Sequence, residues 1–400
     1  MNIGFDGTRT DPNYVGGVNT YLMGLLRGLV DTGEKHRIQL YVSPKNVHIF
    51  KDFSGLSNLD LIAFPMDRRE EWTRRAISYF SAYSGVKSFH RRVSDALFAS
   101  WTRFIVDRSD VIYIPTTTLF PYNLKKPTVV SMHDIQHVRY PQFFTRRERL
   151  QRHIKFALTA ERATYIQASS EFIKQDLLSY FKCLRPEQVC VIPEGVLVEE
   201  FSRPRDIDIA DRYNVPKDFL FFPAQLWPHK NHMTVLKALN RLKRDKGRTI
   251  PLVLTGATYS AADLIFNFIK ENNMTSVHYL GKVPFEDLVA LYQKARFFIT
   301  AVLYESSSLP FLEAAASGCA TIVSDTPPNR EMAKNLSTEL FDPLDEIGLA
   351  DLLLRVWDDD ALRERQIVHN RSAVDHYHWD SIARQYLDLF DRAIQGSQHS

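Results

Sequence analysis

Short apolar runs alternate with longer segments of helical periodicity along the whole chain. The strands predicted from these runs are Ile3–Phe5, Ile38–Val42, Leu59–Phe64, Val111–Ile114, Thr128–Met132, Tyr165–Ala168, Val189–Ile192, Phe219–Pro223, Pro251–Leu254, Val277–Leu280, Phe297–Thr300 and Thr321–Val323. They lack a strict alternation of apolar and polar positions, which is typical of strands covered by helices on both faces. The pattern therefore predicts an α/β fold with parallel sheets in doubly wound domains.

The same pattern divides the chain into two halves. Helical periodicity is clearest at Thr20–Val30, Thr234–Leu242 and Leu309–Ser317. A polar segment, 199–215, contains no long apolar run and precedes a new strand. We therefore expect one Rossmann-like domain at residues 1–200 and a second at 201–378. The remaining residues, 379–400, contain a final helix over Trp379–Ile394.

Composition narrows the class of protein. The chain has 400 residues, of which 44% are hydrophobic and 24% charged, values typical of a globular protein with two domains. Its net charge of +3 is too small for a dedicated nucleic-acid binder. The three cysteines, Cys183, Cys190 and Cys319, have neither zinc-site nor disulfide-framework spacing. Without a signal-peptide pattern or a long apolar run, we expect a cytoplasmic protein.

Ligands of open parallel sheets bind beyond the carboxyl ends of the strands, and the first half has two candidate segments there. Gly16 and Gly17 follow the first strand, where glycine lets backbone N–H groups approach an anion. A loop that merely requires positive φ is the alternative. His133 and Asp134 directly follow an apolar strand, and His133 could hydrogen-bond a sugar hydroxyl. A buried structural histidine is the alternative there.

In the second half, Lys230 follows a buried strand at the start of a predicted helix. A cation at a helix N-terminus opposes the helix dipole, so it needs a compensating anion or contact with solvent. A bound phosphate would supply that anion, whereas a solvated surface lysine would need none.

The segment after Thr300 has the most specific pattern. Glu305 and Glu313 stand eight positions apart around a predicted strand-to-helix turn, with Ser306, Ser307 and Ser308 between them. Serine donors at a helix start suit phosphate oxygens. Glu313 lies in a mostly apolar helix, where an unpaired carboxylate is costly. The hydroxyls of a ribose would satisfy it, as would a structural salt bridge.

These four segments together resemble the retaining glycosyltransferases of family 4, whose GT-B architecture has two Rossmann-like domains facing a cleft. The resemblance covers nearly the whole chain, and the two glutamates carry it most sharply. It implies that Glu305 lies near the donor sugar, that Glu313 binds the ribose and that Lys230 binds the diphosphate. The expected catalytic residues are His133, Lys230 and Glu305, and the expected donor-binding residues are Gly16, Gly17, Gln225, Lys230, Ser306, Ser307, Ser308, Leu309 and Glu313. The last helix resembles the segment that crosses back onto the first domain.

The chain departs from the family pattern at three places. Gln225 stands where the family usually has a second diphosphate-binding arginine. Ser306–Ser308 replaces a Gly-Phe-Gly sequence, and Glu194-Gly195-Val196 replaces Asn-Gly-Val. These departures leave the nucleotide and the sugar open.

The resemblance implies metal-independent, retaining transfer of mannose or a related hexose from a nucleotide-diphosphate sugar to a glycan or lipid-linked acceptor, without a cofactor. Cell-envelope or exopolysaccharide synthesis is the expected setting. A non-catalytic module that binds a nucleotide sugar or a glycan is the alternative, because Gln225 weakens the diphosphate site. An epimerase or a phosphorylase on the same fold is a further alternative.

Two basic segments of the first half bear on the acceptor. Residues 67–108 contain nine Lys and Arg against five Asp and Glu, and residues 146–155 contain five against one. Their apolar positions, which include Trp72 and Trp101, recur at helical spacing. Basic amphipathic helices of this kind favour peripheral binding to an anionic membrane. Packing of the same stripes on the first domain, with solvated charges, is the alternative.

Overall fold

The chain folds into two compact units in a computed structural model that describes residues 1–10, 17–33, 35–63, 72–73, 76–77, 87–97 and 99–398. The first unit comprises Met1–Gly195 and Trp379–Ser400, and the second comprises Val196–His378. The sequence pattern placed the first boundary between residues 200 and 201. In the structure the first unit ends at Gly195, and Val196, the first residue of the second unit, donates its N–H to the Tyr377 carbonyl at 2.8 Å.

The first unit contains a parallel sheet whose seven strands within the described residues have the order β3-β2-β1-β4-β5-β6-β7. These strands are β1 Asn2–Asp6, β2 Arg37–Val42, β3 Leu59–Ala63, β4 Val111–Ile114, β5 Thr128–Ser131, β6 Tyr165–Ala168 and β7 Val189–Val191. All residues of β4 and β5 are buried, as expected for central strands with helices on both faces.

The second unit contains a parallel sheet of six strands within its described residues, in the order β10-β9-β8-β11-β12-β13. They are β8 Leu220–Pro223, β9 Leu252–Thr255, β10 Val277–Tyr279, β11 Phe297–Thr300, β12 Ala320–Ser324 and β13 Glu339–Phe341. The predicted α/β class, with two doubly wound Rossmann-like domains, is confirmed. The sequence pattern missed β13 because it is a three-residue edge strand with one buried residue.

Helices connect the strands, since parallel neighbours need a crossover connection. They are α1 Gly17–Thr32, α2 Lys87–Leu97, α3 Ala99–Val106, α4 Gln136–Arg139, α5 Arg146–Arg162, α6 Glu171–Tyr180, α7 Val198–Ser202, α8 Ile209–Tyr213, α9 His232–Lys246, α10 Ala262–Glu271, α11 Phe285–Lys294, α12 Leu309–Ala316, α13 Pro327–Met332, α14 Glu346–Val356, α15 Asp360–Ala373 and α16 Trp379–Gln398. Short 3₁₀ turns occur at Val47–Phe53, Pro141–Phe143, Pro186–Gln188, Pro228–Lys230 and Val374–Tyr377. Among the described residues, no helix is both long enough and apolar enough to span a lipid bilayer.

The last helix, α16, packs against α1 within the first unit. The buried Trp379 fits against Gly24, where an added Cβ would lie 2.1 Å from the indole Nε1. Deeper in the same contact, the Tyr386 hydroxyl is hydrogen-bonded to the Tyr21 hydroxyl, which also lies 2.9 Å from Ser131 Oγ. Two features therefore hold the end of the chain on this unit. One is the fit of Trp379 against Gly24, and the other is the cluster of hydroxyl groups around Tyr21.

Candidate functional site

The strand order of the second sheet reverses between β8 and β11, which are adjacent and parallel. The loops that leave the carboxyl ends of two such strands diverge to opposite faces, and the crevice between them is the usual ligand position of this fold. Here the loop after β8 carries Lys230, and the loop after β11 carries Glu305. The topology therefore brings together the two charged residues that the sequence indicated separately.

Lys230 and Glu305 form an ion pair. Lys230 ends the 3₁₀ turn after β8, and its Nζ donates to Glu305 Oε2 at 3.2 Å. The lysine side chain is 22% exposed and the glutamate side chain 8% exposed. The anion that the position of Lys230 requires is thus supplied within the protein by Glu305. The pair is partly shielded from water, so its electrostatic interaction is stronger than that of a surface pair.

Polar atoms near this pair have unused hydrogen-bonding capacity. Among the groups that the structure describes, Glu305 Oε1 and Ser308 Oγ are buried and have no hydrogen-bond partner. Ser308 directly precedes α12 but does not cap it with its side chain. Because unpaired buried polar atoms are costly, a ligand rich in hydroxyl groups or phosphate oxygens would be favoured here.

Asn231 holds the loops of this edge together. It adopts a left-handed conformation with φ 57°, between the 3₁₀ turn and α9. Its Nδ2 donates to the Ala301 carbonyl at 3.0 Å and to the Pro343 carbonyl at 2.8 Å, in the loops after β11 and β13. The Leu303 N–H donates to the His229 carbonyl at 2.9 Å. These bonds fix the distance between the two loops that carry the ion pair.

Glu313 lies on α12, and its surroundings are unusual for a carboxyl group. The hydroxyl of the fully buried Tyr292, from α11, donates to Glu313 Oε2 at 2.8 Å. Burial raises the pKa of Glu313 to about 7, and the Tyr292 hydrogen bond only partly offsets that effect. Its partner is thus a hydroxyl and not the cation of a structural salt bridge. Its oxygens can accept further hydrogen bonds from hydroxyl groups of a bound ligand.

Gln225 has a different role from the arginine that the resemblance would place there. Its Oε1 accepts a hydrogen bond from Trp227 Nε1 at 2.9 Å, and the Trp227 ring stacks on Tyr259 with ring centroids 3.8 Å apart. His229, in the same loop, does not add charge, because burial and the nearby Lys230 lower its pKa to about 3. Lys230 is therefore the cation of the loop from 224 to 231 at neutral pH.

The candidates of the first half lie in the first unit. His133 follows β5, and its Nε2 lies 2.8 Å from the Pro115 carbonyl. Its Nδ1 lies 3.9 Å from Oε1 of the buried Glu194. Burial lowers the pKa of His133, partly offset by the Pro115 carbonyl and Asp134. Nε2 therefore has a backbone partner, and Nδ1 faces the Glu194 carboxylate.

Other expected residues are placed only in part. Gly17 is the exposed first residue of α1, whereas Gly16 lies outside the described residues. Ser306 and Ser307 are half-buried in the loop before α12, and Leu309 is its buried first residue. In the basic segment, Trp72 is 76% exposed, and the side chain of Trp101 lies outside the described residues.

Sequence reasoning missed three partners of the site residues: Tyr292, Asn231 and the buried carboxylate of Glu194 near His133. Tyr292 lies on a different helix from Glu313, and Glu194 is distant in sequence from His133, so no local pattern linked them. Asn231 had a signal, since asparagine is among the few residues that tolerate the left-handed conformation before a helix.

Two family models match the chain, one to each unit. The model for glycosyl transferases group 1 matches residues 206–372, and the model for glycosyltransferase family 4 matches residues 15–200. The chain belongs to the group 1 glycosyltransferases of family 4. The resemblance inferred from the four segments, most sharply from the glutamate pair, is therefore confirmed.

Several characterised relatives of this glycosyltransferase are mannosyltransferases. O-antigen chain mannosyltransferase B of Escherichia coli is 23% identical over 291 residues, which is 71% of this chain and 75% of that protein. The serotype-specific mannosyltransferase WbdA of E. coli is 24% identical over 246 residues, but these cover only 30% of its length. Phosphatidyl-myo-inositol mannosyltransferase of Mycobacterium tuberculosis is 26% identical over 214 residues, 52% of this chain and 54% of that protein.

Solved structures share the fold over nearly the full chain. The crystal structure of Anabaena Alr3699/HepE in complex with UDP and glucose has a TM-score of 0.73 at 15% identity and covers 98% of this chain and 100% of that one. WaaG, a glycosyltransferase involved in lipopolysaccharide biosynthesis, has a TM-score of 0.67 at 14% identity, with 97% and 99% coverage. At these identities the similarity establishes the fold.

Proposed function

We propose that this glycosyltransferase transfers a hexose, with mannose the first candidate, from a nucleotide-diphosphate sugar to a glycan or lipid-linked acceptor in cell-envelope polysaccharide synthesis. The observation that carries the proposal is the Lys230–Glu305 ion pair at the topological switch point of the second sheet. The mannosyltransferase relatives, which include O-antigen enzymes, favour mannose and the cell envelope. Retention of the anomeric configuration follows from the family resemblance.

Lys230 would change partners when the donor binds. In the structure its ammonium group pairs with Glu305. A diphosphate offers more negative charge than one carboxylate, so it competes well for the lysine. Glu305 would then be released toward the hydroxyl groups of the donor sugar, which can also satisfy its Oε1 atom.

Glu313 would accept hydrogen bonds from the two ribose hydroxyls of the nucleotide. Its carboxyl group is held by Tyr292 at one oxygen and is half-buried, so it can be reached at its outer edge. Ser306–Ser308 and the N-terminal end of α12 would face the phosphates, because backbone N–H groups at a helix start favour anions. Pro310 has no N–H, so the serine segment would supply more of these donors than the helix itself.

The reaction requires stabilisation of the negative charge that grows on the leaving diphosphate. Lys230 and the donors before α12 are fixed by the loops that Asn231 joins, so they would act without reorganisation. In the mechanism that the resemblance implies, a leaving phosphate oxygen takes the proton of the acceptor hydroxyl. The share of the protein would then be positioning and electrostatics, and no metal ion would be needed.

Nucleotide binding and turnover test the proposal together. GDP, UDP, GDP-mannose and UDP-glucose are added separately, and the melting temperature is measured, since a ligand of the folded state raises it. We expect one diphosphate and its sugar to stabilise the protein, and release of that nucleotide in excess chelator. The proposed function would be contradicted if no donor bound or turned over in the presence of an acceptor glycan. Metal independence would be contradicted if chelator abolished nucleotide release and only added magnesium restored its rate.

Gln225 favours one second candidate, a module that binds a nucleotide sugar without transferring it. Its side chain orients Trp227 and supplies no charge to the diphosphate. The binding and turnover measurements distinguish the two functions, because a binding module would be stabilised by the sugar nucleotide and would leave it intact.

A further inference from the structure

The first unit contains a cavity that the proposed donor site does not use. Its volume is about 650 Å³, and it is open to solvent between α4, α5 and α6. The side chains that define its chemistry are His137, Arg146, Arg149, Leu150, His153 and Tyr180. It is thus lined by cationic and aromatic groups from three helices.

The cavity has uncompensated positive charge. Arg146 and Arg149 are exposed in the first turn of α5, and within the described parts of the chain no carboxylate lies within ion-pair distance of either. Glu148, between them, is engaged elsewhere, since its Oε2 accepts from the Thr145 N–H and hydroxyl at 2.8 Å each. Two guanidinium groups therefore face the cavity without an acidic partner, and guanidinium matches the geometry of phosphate.

His137 supplies a second, independent observation. It is 2% exposed, lines the cavity, and among the described groups neither of its ring nitrogens has a hydrogen-bond partner. Its ring meets Phe156 and Tyr180 edge to face, at centroid distances of 5.1 and 6.5 Å. These contacts satisfy its carbon edges and leave its nitrogens unpaired, which is costly for a buried imidazole.

We infer that this cavity binds the phosphate group of a phosphorylated acceptor, with Arg146 and Arg149 on the phosphate oxygens and His137 donating a hydrogen bond. The inference rests on the proposed function, to which it adds the chemical class of the acceptor. A single phosphate group is much smaller than the cavity of about 650 Å³ and fills only part of it. Leu150 and the Tyr180 ring offer apolar surface to the sugar or carrier attached to the phosphate.

The cavity lies close in sequence to the residue expected near the transferred sugar. His137 follows His133, the residue expected near the transferred sugar, by four positions, and both come after the carboxyl end of β5. The charged groups that face His137 are Arg149, Arg152 and His153 from α5 and Asp134 from the preceding loop. Burial, together with Arg152, lowers the pKa of His137 to about 4, so a bound phosphate should raise it.

The test uses mannose 1-phosphate as the probe, titrated calorimetrically into the full chain. All proteins carry Lys230→Gln, so that the proposed diphosphate site contributes little. We expect binding by this parent and at least tenfold weaker binding after R146Q with R149Q. The matched control, K51Q with K125Q, removes two exposed lysines of the same unit and should change affinity less than twofold. Equal affinities in all three proteins would overturn the inference.

A direct readout of His137 comes from NMR of protein with labelled histidine, with H137N used to assign the signal. Saturating mannose 1-phosphate should move the His137 titration upward from about pH 4 by a unit or more. An unmoved titration would contradict its contact with phosphate.

Two further probes separate the sources of a phosphate. Inorganic phosphate should bind weakly, and this binding should also depend on Arg146 and Arg149. Binding of the protein to vesicles of phosphatidylglycerol in phosphatidylcholine should not depend on these two arginines. If binding to vesicles depends on Arg146 and Arg149 but binding of mannose 1-phosphate does not, the cavity holds a lipid headgroup and the acceptor role is overturned. The nucleotides are tested on protein that retains Lys230. Stabilisation by a nucleotide, without binding of mannose 1-phosphate, would refute this inference alone. Binding of mannose 1-phosphate, without stabilisation by any nucleotide, would refute the proposed donor site.

Discussion

Replacing Glu313 with glutamine should make the second unit more stable at neutral pH, although it removes a proposed ligand-binding group. Glutamine has nearly the same shape and keeps a carbonyl oxygen for the Tyr292 hydroxyl, now 2.8 Å from Glu313 Oε2. The substitution removes the free-energy cost of ionising a buried carboxyl group. The stability effect should therefore depend on pH.

The magnitude follows from the pKa of Glu313, which burial raises from 4.5 to about 7. The folded state then holds its proton at higher pH than the unfolded state. The stabilising contribution is fully present below pH 4.5 and is lost as pH rises through 7. At about 1.4 kcal/mol per pKa unit, the parent loses about 2–3 kcal/mol between pH 5 and pH 8 that the variant keeps.

Scanning calorimetry at several pH values measures this difference. For a domain of this size, 1 kcal/mol corresponds to about 2–4 °C, so E313Q should gain about 5–10 °C on the parent between pH 5 and pH 8. The exposed Glu364, in the same unit, provides the control E364Q, which should follow the parent. Parallel melting curves for E313Q and the parent at every pH would mean that Glu313 ionises normally, and the account of its burial would be wrong. The same variant should bind the nucleotide more weakly, which is the usual conflict between stability and function.

Three other variants test separate parts of the molecule. Lys230→Gln should cost about 2–4 kcal/mol in kcat/KM for the donor, because it removes the cation opposite the leaving phosphates, and steady-state kinetics would measure it. Gly24→Ala should lower the stability of the first unit by about 1–3 kcal/mol in calorimetry, since its Cβ would lie 2.1 Å from Trp379 Nε1; an unchanged melting temperature would contradict the contact. If the basic helices bind an anionic membrane, R91E with R92E should weaken binding to anionic vesicles by about 2 kcal/mol per residue, since each reversal changes the charge by two. Equal partitioning onto neutral vesicles would exclude that role.

The fold was predictable because the strands of a doubly wound sheet are distinct apolar runs in sequence. The helical segment predicted at Leu309–Ser317 is found as α12, which ends one residue earlier, and Gly318 follows it with φ +72°. What failed was β13, which has too few apolar residues to form a recognisable run. The lesson is physical: central strands are specified by their own composition, whereas a short edge strand is specified by the neighbour that it pairs with, here β12.

For the site, sequence located the residues but not their partners. Lys230 and Glu305 were found because both follow strand ends, where the fold places ligands. They pair with each other because β8 and β11 are neighbours in the sheet. The positions of the predicted strands along the sequence do not indicate which strands are neighbours. Likewise, the neighbour of Glu313 is a tyrosine from another helix. Only the three-dimensional packing of the helices determines such contacts.

The Lys230–Glu305 pair gives a physical reason for selectivity toward diphosphates. A neutral ligand, such as a nucleoside or a free sugar, cannot displace Glu305 from the lysine, because it offers no charge to replace the carboxylate. A diphosphate can, and only then would the carboxylate face the sugar that the diphosphate carries. One ion pair would thus couple recognition of the leaving group to binding of the transferred sugar. The departure at Gln225 would increase this dependence, since the loop that holds Lys230 has no second cation to share the diphosphate charge.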